Sequence, residues 1–197
     1  IARLKSEYSK NKGIVSQNTK RMLHLYNGRA NRINDYFNKA VSLLVRKCID
    51  MNVTHIVIGY NKEMKQEINT GKVNNQNFVS VPFYKLRQKL QCKCELHGIE
   101  YISQEESYTS KASCLDMDFL PKFGDKDIPQ FSGKRIKRGL YSSSDGSLVN
   151  ADINGSVNIL RKYFKERKWN WTFQDHVRAF VNRPCQRVNP LCSSSIL

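Results

Sequence analysis

The sequence predicts an α/β fold, and three observations support this prediction. Residues 55–60 form a short, β-branched apolar run, which is typical of a buried strand. A segment with helical spacing follows, and a second short apolar run at residues 99–103 comes after it. Strands that alternate with helices in this order indicate a parallel sheet with crossover connections.

A long helix is predicted before the first strand, over about residues 18–51. Apolar side chains recur along it at helical spacing, and we expect them to form its buried face. They are Met22, Tyr26, Ile33, Phe37, Ala40, Leu44 and Cys48. The arginines and lysines on its other faces indicate either a solvated surface or one wall of a nucleic-acid groove.

A second helix is predicted between the two strands. Pro82 opens it, at a position that proline favours, and Gly98 ends it. Its buried face is predicted to hold Phe83, Leu86, Leu90, Cys94 and His97. The strand at 99–103 then delivers Glu105 and Glu106 at its carboxyl end.

A third helix is predicted to start after Asn150, a residue type that caps helices well. Its predicted apolar stripe consists of Ile153, Val157, Leu160 and Phe164. Asp152 lies in its first turn, and two interpretations of this carboxylate remain open. It either complements the helix dipole or binds a metal ion.

The charge of the chain favours a nucleic-acid partner. Lys and Arg number 33 against 17 Asp and Glu, which gives a net charge of +16. Phosphate contacts supply most of the non-specific affinity for nucleic acids. A solvated basic surface and an anionic membrane are the alternatives, although no stretch reaches the roughly 18 apolar residues that a membrane span needs.

The six cysteines form no Cys-x-x-Cys pair. Cys48 and Cys94 fall on predicted buried faces, so we expect free buried thiols rather than a disulfide framework. This pattern indicates a reducing, cytoplasmic setting.

Three segments in one order carry a family resemblance: residues 105–111, 131–141 and 150–160. Together they resemble the C-terminal half of the TnpB (OrfB) proteins of bacterial insertion sequences, over about residues 18–162. Residues 55–62, Lys65–Gln66 and 78–83 also match. The resemblance implies an RNA-guided DNA endonuclease with an RNase H-like (RuvC-like) core, a long N-terminal helix and a loop-rich insertion before the last core helix.

The resemblance also implies a domain organisation. A RuvC-like core is expected over residues 1–164, with a target-nucleic-acid-binding insertion at 107–149 and a C-terminal tail at 165–197. The first strands of the core, with the first catalytic aspartate, are expected to be missing, so the chain alone is not expected to cut DNA. A bacterial mobile element would place it in the cytoplasm, and the oligomeric state remains open.

Carboxylates that bind Mg²⁺ are the chemistry that the resemblance implies. The strand glutamate of the family corresponds to Gly59, which cannot bind a metal. Some branches, including the eukaryotic Fanzor relatives, use a substitute glutamate further along, and Glu106 matches it. The implied catalytic and metal-binding residues are therefore Glu106 and Asp152, with Glu105 as the second choice for the glutamate.

In the family the insertion carries a four-cysteine zinc site. The corresponding positions here are Ser113, Asp116, Ser142 and Asp145, and Cys114 is one residue out of register. Hydroxyls are poor zinc ligands, so we expect no structural zinc.

Basic residues in the insertion are the predicted nucleic-acid contacts, and DNA and a guide RNA are the implied partners. They are Lys111, Lys134, Arg135, Lys137 and Arg138, the last four bracketed by Phe131 and Tyr141. Basic side chains between aromatics suit phosphate contact and base stacking, and an exposed basic loop is the alternative. For the whole chain, the alternative function is a truncated, catalytically inactive relative that binds nucleic acid without cutting it.

Overall fold

The structure is a computed structural model that describes residues 19–61, 81–168 and 189–191. The chain divides into two compact units. The helical unit comprises residues 1–52, 76–97 and 188–197, and the sheet unit comprises residues 53–75 and 98–187. Most of the predicted C-terminal tail lies outside the described residues, as do residues 62–80, which include Lys65–Gln66 of the resemblance.

The predicted long helix of the helical unit is confirmed as α1, Lys20–Asp50. The Thr19 side chain caps it by accepting a hydrogen bond from the Met22 amide at 3.3 Å. The buried residues are Met22, Phe37, Val41, Val45 and Cys48. The expectation that Tyr26 and Leu44 are buried is wrong, since they are 37% and 42% exposed. From Phe37 onward the buried stripe advances by four, four and three residues, and therefore meets Val45 instead of Leu44.

The second predicted helix is α2, Phe83–Leu96, with Pro82 at the N-cap position just before it. Leu90 and Cys94 are buried as predicted. His97, predicted on the buried face, is instead the exposed C-cap residue. Gly98 follows with a φ of 68°, a left-handed conformation that glycine adopts without strain and that ends the helix.

The sheet unit contains a parallel pair of strands, β1 (His55–Tyr60) and β2 (Glu100–Glu105). The register places His55 opposite Glu100 and Tyr60 opposite Glu105. β2 ends two residues beyond the predicted limit, so that Glu105 is its last residue. The Glu106 amide still donates to the Tyr60 carbonyl at 3.2 Å, and this bond fixes Glu106 at the carboxyl end of the sheet.

The insertion contains a small antiparallel sheet that the sequence did not indicate. Its strands are β3 (Lys134–Lys137), β4 (Leu140–Ser142) and β5 (Leu148–Asn150), in the order β3-β4-β5. Strands of three or four residues are too short to show a clear alternating pattern. The prediction of a loop-rich insertion therefore describes only part of this region.

The last described helix, α3 (Ala151–Glu166), begins directly after β5. Asn150 ends the strand and caps the helix, as predicted, because its side chain accepts from the Asp152 and Ile153 amides at 2.8 and 3.2 Å. The predicted apolar stripe is only partly right. Val157 is buried, but three of the other buried residues are polar: Asn154, Asn158 and Lys162.

The described elements form a mixed α/β architecture with small sheets, which is compatible with part of a nuclease-like fold. Among these residues, no helix has an apolar stretch long enough to span a lipid bilayer.

Candidate active site

Both predicted catalytic carboxylates line one cavity of the sheet unit, which we call the carboxylate cleft. Its volume is about 440 Å³, and its walls include Asn61, Glu106, Tyr108, Arg135, Asp152 and Ser156. Glu106 follows β2, whereas Asp152 lies in the first turn of α3. The fold therefore brings together two acidic residues that are far apart in the sequence.

The position of the Glu106 side chain depends on Gly59. A Cβ atom built on Gly59 would overlap the Glu106 carboxylate and would lie 2.7 Å from Cδ1 of Ile159. The absence of a side chain at residue 59 thus leaves the space that the Glu106 carboxylate occupies. This is the place where a side chain from β1 would otherwise begin.

Glu105, the second choice, has a different environment. Its carboxylate lies 2.7 Å from the Lys162 ammonium and accepts from the Ser107 amide at 2.5 Å. Burial alone would raise the pKa of Glu105, but the hydrogen bonds from Lys162 and Ser107 outweigh it and hold this pKa below its usual value. Glu105 is not among the described residues that line the carboxylate cleft, and its carboxylate faces Lys162 and Ser107 instead.

Two buried asparagines of α3 form hydrogen bonds with the backbone of the turn that follows Glu106. Asn154 accepts from the Cys114 amide at 2.9 Å and donates to the Ala112 carbonyl at 2.8 Å. Asn158, which is fully buried, donates to the carbonyls of Thr109 and Ala112 at 2.9 and 2.8 Å. These bonds satisfy backbone groups that would otherwise be buried without partners.

Two cations of α3 extend this network. Arg161 donates to the Asp118 carbonyl at 2.8 Å and to the Asn158 side chain at 2.7 Å. Lys162 donates to the Ser107 carbonyl at 2.7 Å, beside its ion pair with Glu105. One helix thus carries Asp152 at its start and holds the segment after Glu106 along its length. This role was not predicted from the sequence, although two asparagines four residues apart inside a helix indicate it, since asparagine is disfavoured there.

All five predicted basic contacts are exposed: Lys111 in the turn after Glu106, and Lys134, Arg135, Lys137 and Arg138 on β3 and the turn after it. Arg135 lines the carboxylate cleft, whereas Lys134, Lys137 and Arg138 are not among the described residues of its walls. The expectation that Tyr141 takes part in base stacking is wrong. Tyr141 is only 1% exposed, and its hydroxyl donates to the Lys111 carbonyl at 2.8 Å.

The four positions that match a zinc site lie in a hydrogen-bonded cluster that also includes Ser143, Ser144 and Ser147. The Asp116 carboxylate accepts from the Ser144 amide at 3.0 Å and from the Ser144 hydroxyl at 2.5 Å, while the Asp116 amide donates to Ser113 Oγ at 3.2 Å. We call the first two bonds the Asp116–Ser144 link. Asp145 accepts from the Ser147 amide at 2.9 Å, and Ser142 donates to the Ser143 carbonyl at 3.2 Å.

The chemistry of this cluster does not fit zinc. Burial raises the pKa of Cys114 to about 11, which favours the protonated thiol at neutral pH. Within residues 19–61, 81–168 and 189–191, no group of three or more His, Cys, Asp or Glu side chains could hold a metal. Burial would raise the pKa of Asp116, but hydrogen bonds from Ser113 and Ser144 hold it below its usual value. The cluster therefore favours an ionised carboxylate that joins two turns.

Comparisons with known proteins bear on this site. No curated protein matches the chain. Residues 83–159 match the family model described as Cas12f1-like, TNB domain. The matched range includes Glu106, Asp152 and the whole antiparallel sheet of the insertion. The match supports a relation between this chain and the family of TnpB and Cas12-like proteins.

Proposed function

We propose that this chain is the C-terminal part of a TnpB-type, RNA-guided DNA endonuclease. Residues 1–164 would form a RuvC-like core with the target-binding insertion at 107–149. The single observation that carries this proposal is the carboxylate cleft, where Glu106 and Asp152 lie with Arg135. The space that Gly59 leaves for Glu106 further supports the exchange of one glutamate position for another.

The cleft suits a hard divalent cation such as Mg²⁺, which prefers carboxylate oxygens, water and phosphate. Glu106 and Asp152 would hold it, and when bound it would supply charge neutralisation at the attacking and leaving oxygens of a phosphodiester. Arg135 would bind and orient a phosphate of the strand at the same cleft. Because no third metal-binding side chain joins the two among the described residues, we expect a third carboxylate from outside them.

The proposal of nucleic-acid partners rests on the positive charge of the chain. The net charge is +16, and exposed basic side chains cover β3 and the following turn. DNA would be the strand that is cut, and a guide RNA would select it. One observation favours the alternative, a binding relative that does not cut: the described residues bring only two carboxylates into the cleft.

Cleavage of guide-matched DNA in Mg²⁺ tests the proposal, with the chain joined to a family segment that supplies the first aspartate. Glu106→Gln and Asp152→Asn should each lower the rate at least about 100-fold, because a metal loses a ligand. Guide binding should remain, and Asp127→Asn, an exposed aspartate of the insertion, should cut normally. Full cutting by Glu106→Gln would overturn the assignment, and binding without any cutting by the unmodified protein would favour the inactive relative.

A further inference from the structure

Tyr108 has a backbone conformation that non-glycine residues rarely adopt, with a φ of 64°. It lies in the turn just after Glu106. Its carbonyl accepts from the Lys111 and Ala112 amides, both at 3.0 Å, and Asn158 holds the neighbouring Thr109 and Ala112 carbonyls. The buried network of α3 therefore maintains a turn that costs free energy, and such turns cluster where function needs one side chain placed.

The conformation of this turn brings Tyr108 to the wall of the carboxylate cleft. The Tyr108 ring lies 6.3 Å from the Phe131 ring, centroid to centroid, at an interplanar angle of 34°. The Lys111 ammonium lies 5.9 Å from the Tyr108 centroid. Both rings are half-buried, unlike the fully buried Tyr141.

We propose that Tyr108, backed by Phe131, is a stacking site for one unpaired nucleobase of a single strand beside the two carboxylates. This inference rests on the nucleic-acid binding of the proposed function. Base stacking on an aromatic ring tolerates any sequence, because every base offers a flat π-face. Lys111 and Arg135 supply cations on the same side of the fold, where the phosphates flanking that base would pass.

Short single strands that differ only in their bases test this inference. One DNA strand carries normal bases and the other carries abasic sugars at every position, and an RNA pair repeats the comparison. The unmodified chain should bind the normal strand about fivefold or more tightly than the abasic one, since one stacked base is worth that factor or more. Stacking should also quench the fluorescence of a 2-aminopurine base.

The decisive variant is Tyr108→Gly, because it removes the ring and relieves the positive φ. Tyr108→Gly should unfold at a similar temperature to the unmodified chain but lose the preference for bases over abasic sugars. Tyr108→Phe should keep this preference. Phe123→Leu, which changes a ring that is 60% exposed and is not among the described residues of the cleft, should keep it too.

If Tyr108→Gly does not fold, Tyr108→Leu replaces it in the comparison of normal and abasic strands. Tyr108→Leu removes the ring but keeps an apolar side chain against Phe131. An unmodified chain that binds both strands equally, or a Tyr108→Leu variant that retains the base preference, would overturn this inference and leave the proposed function intact. Absence of binding to every strand at low salt would contradict the proposed function itself. If the Tyr108 variant loses more of its base preference with DNA than with RNA, the site belongs to the strand that is cut. A larger loss of base preference with RNA would assign the site to the guide.

Discussion

The Glu106 carboxylate occupies the space that a side chain on Gly59 would need. Gly59 is the next-to-last residue of β1, and Glu106 directly follows the last residue of the neighbouring parallel strand β2. The side chain at one position therefore constrains the side chain at the other, and a substitution at Gly59 should displace the Glu106 side chain.

Gly59→Ala should destabilise the fold by about 1–3 kcal/mol, because the added methyl group must displace Glu106 and Ile159. Urea unfolding measures this free energy. Gly59→Ala with Glu106→Ala should recover part of it, since one of the two overlaps is removed. Gly28→Ala is the matched control, because nothing lies within 4 Å of a Cβ at that helical position and the change should stabilise by about 1 kcal/mol.

The proposed exchange of the glutamate between positions 59 and 106 can also be tested by activity. Glu106→Gly in the cutting assay should abolish cleavage, and adding Gly59→Glu should restore part of it, because the carboxylate then reaches the same cleft from β1. Failure of Gly59→Glu to restore any cutting in a folded double variant would show that the two positions are not interchangeable.

Glu105→Ala should cost about 2 kcal/mol in unfolding free energy, because it leaves the Lys162 ammonium, only 5% exposed, without its counter-charge. This value lies below the roughly 3–5 kcal/mol of a fully buried pair, since the Glu105 side chain is 37% exposed. Glu105→Ala with Lys162→Met removes both charges and should be more stable than Glu105→Ala alone. Equal destabilisation of the single and double variants would contradict a structural ion pair.

Charge reversal of the exposed basic cluster should weaken nucleic-acid binding and reduce its salt dependence. The variant carries glutamate at Lys134, Arg135, Lys137 and Arg138. Each lost phosphate contact should lower the slope of log affinity against log salt by about 0.7–0.9. Reversal of four exposed cations on α1 is the control, at Lys20, Arg21, Arg29 and Arg32. An equal loss in both variants would contradict a specific role of this cluster, and would mean either that net charge determines binding or that α1 also contacts the nucleic acid.

The Asp116–Ser144 link predicts a pH dependence of stability. The pKa of Asp116 is lowered in the fold, so its contribution is present above the unfolded pKa of about 3.9 and is lost as the pH falls through the folded value. Asp116→Asn should therefore cost about 1 kcal/mol near pH 7 and progressively less as the pH falls below the unfolded pKa. Thermal unfolding across this range measures both. A cost that does not change with pH would contradict an ionised Asp116.

Metal content distinguishes the hydrogen-bonded cluster from a zinc site. The purified chain should hold no stoichiometric zinc, because hydroxyls and carboxylates replace the thiolates. A variant with cysteine at Ser113, Asp116, Ser142 and Asp145 should bind about one zinc ion by elemental analysis. About one zinc per unmodified chain would contradict the prediction.

The sequence predicted those elements whose signal lies within the element itself. α1 and β1 follow from apolar periodicity, and the start of α3 follows from the Asn150 cap. Glu106 and Asp152 were predicted from the family resemblance, and the structure places both on the carboxylate cleft.

What the sequence could not predict depends on tertiary contacts. The strands of the insertion are too short for a period of two to appear. Asn154 and Asn158 are buried where they bond to a backbone segment 40–49 residues upstream. Tyr141 is buried for a similar reason, since its hydroxyl donates to the carbonyl of Lys111, which is distant in the sequence.

Asn150 is at once the last residue of β5 and the cap of α3, so no connector separates the antiparallel sheet from the helix that carries Asp152. If the insertion were replaced with a foreign binding module, no linker residue at this junction could absorb a difference in length. Length changes there would rotate Asp152 by about 100° for each residue added to the helix. Exposed residues 122–128 offer the tolerant position, where extra sequence could be accommodated without altering the helix register.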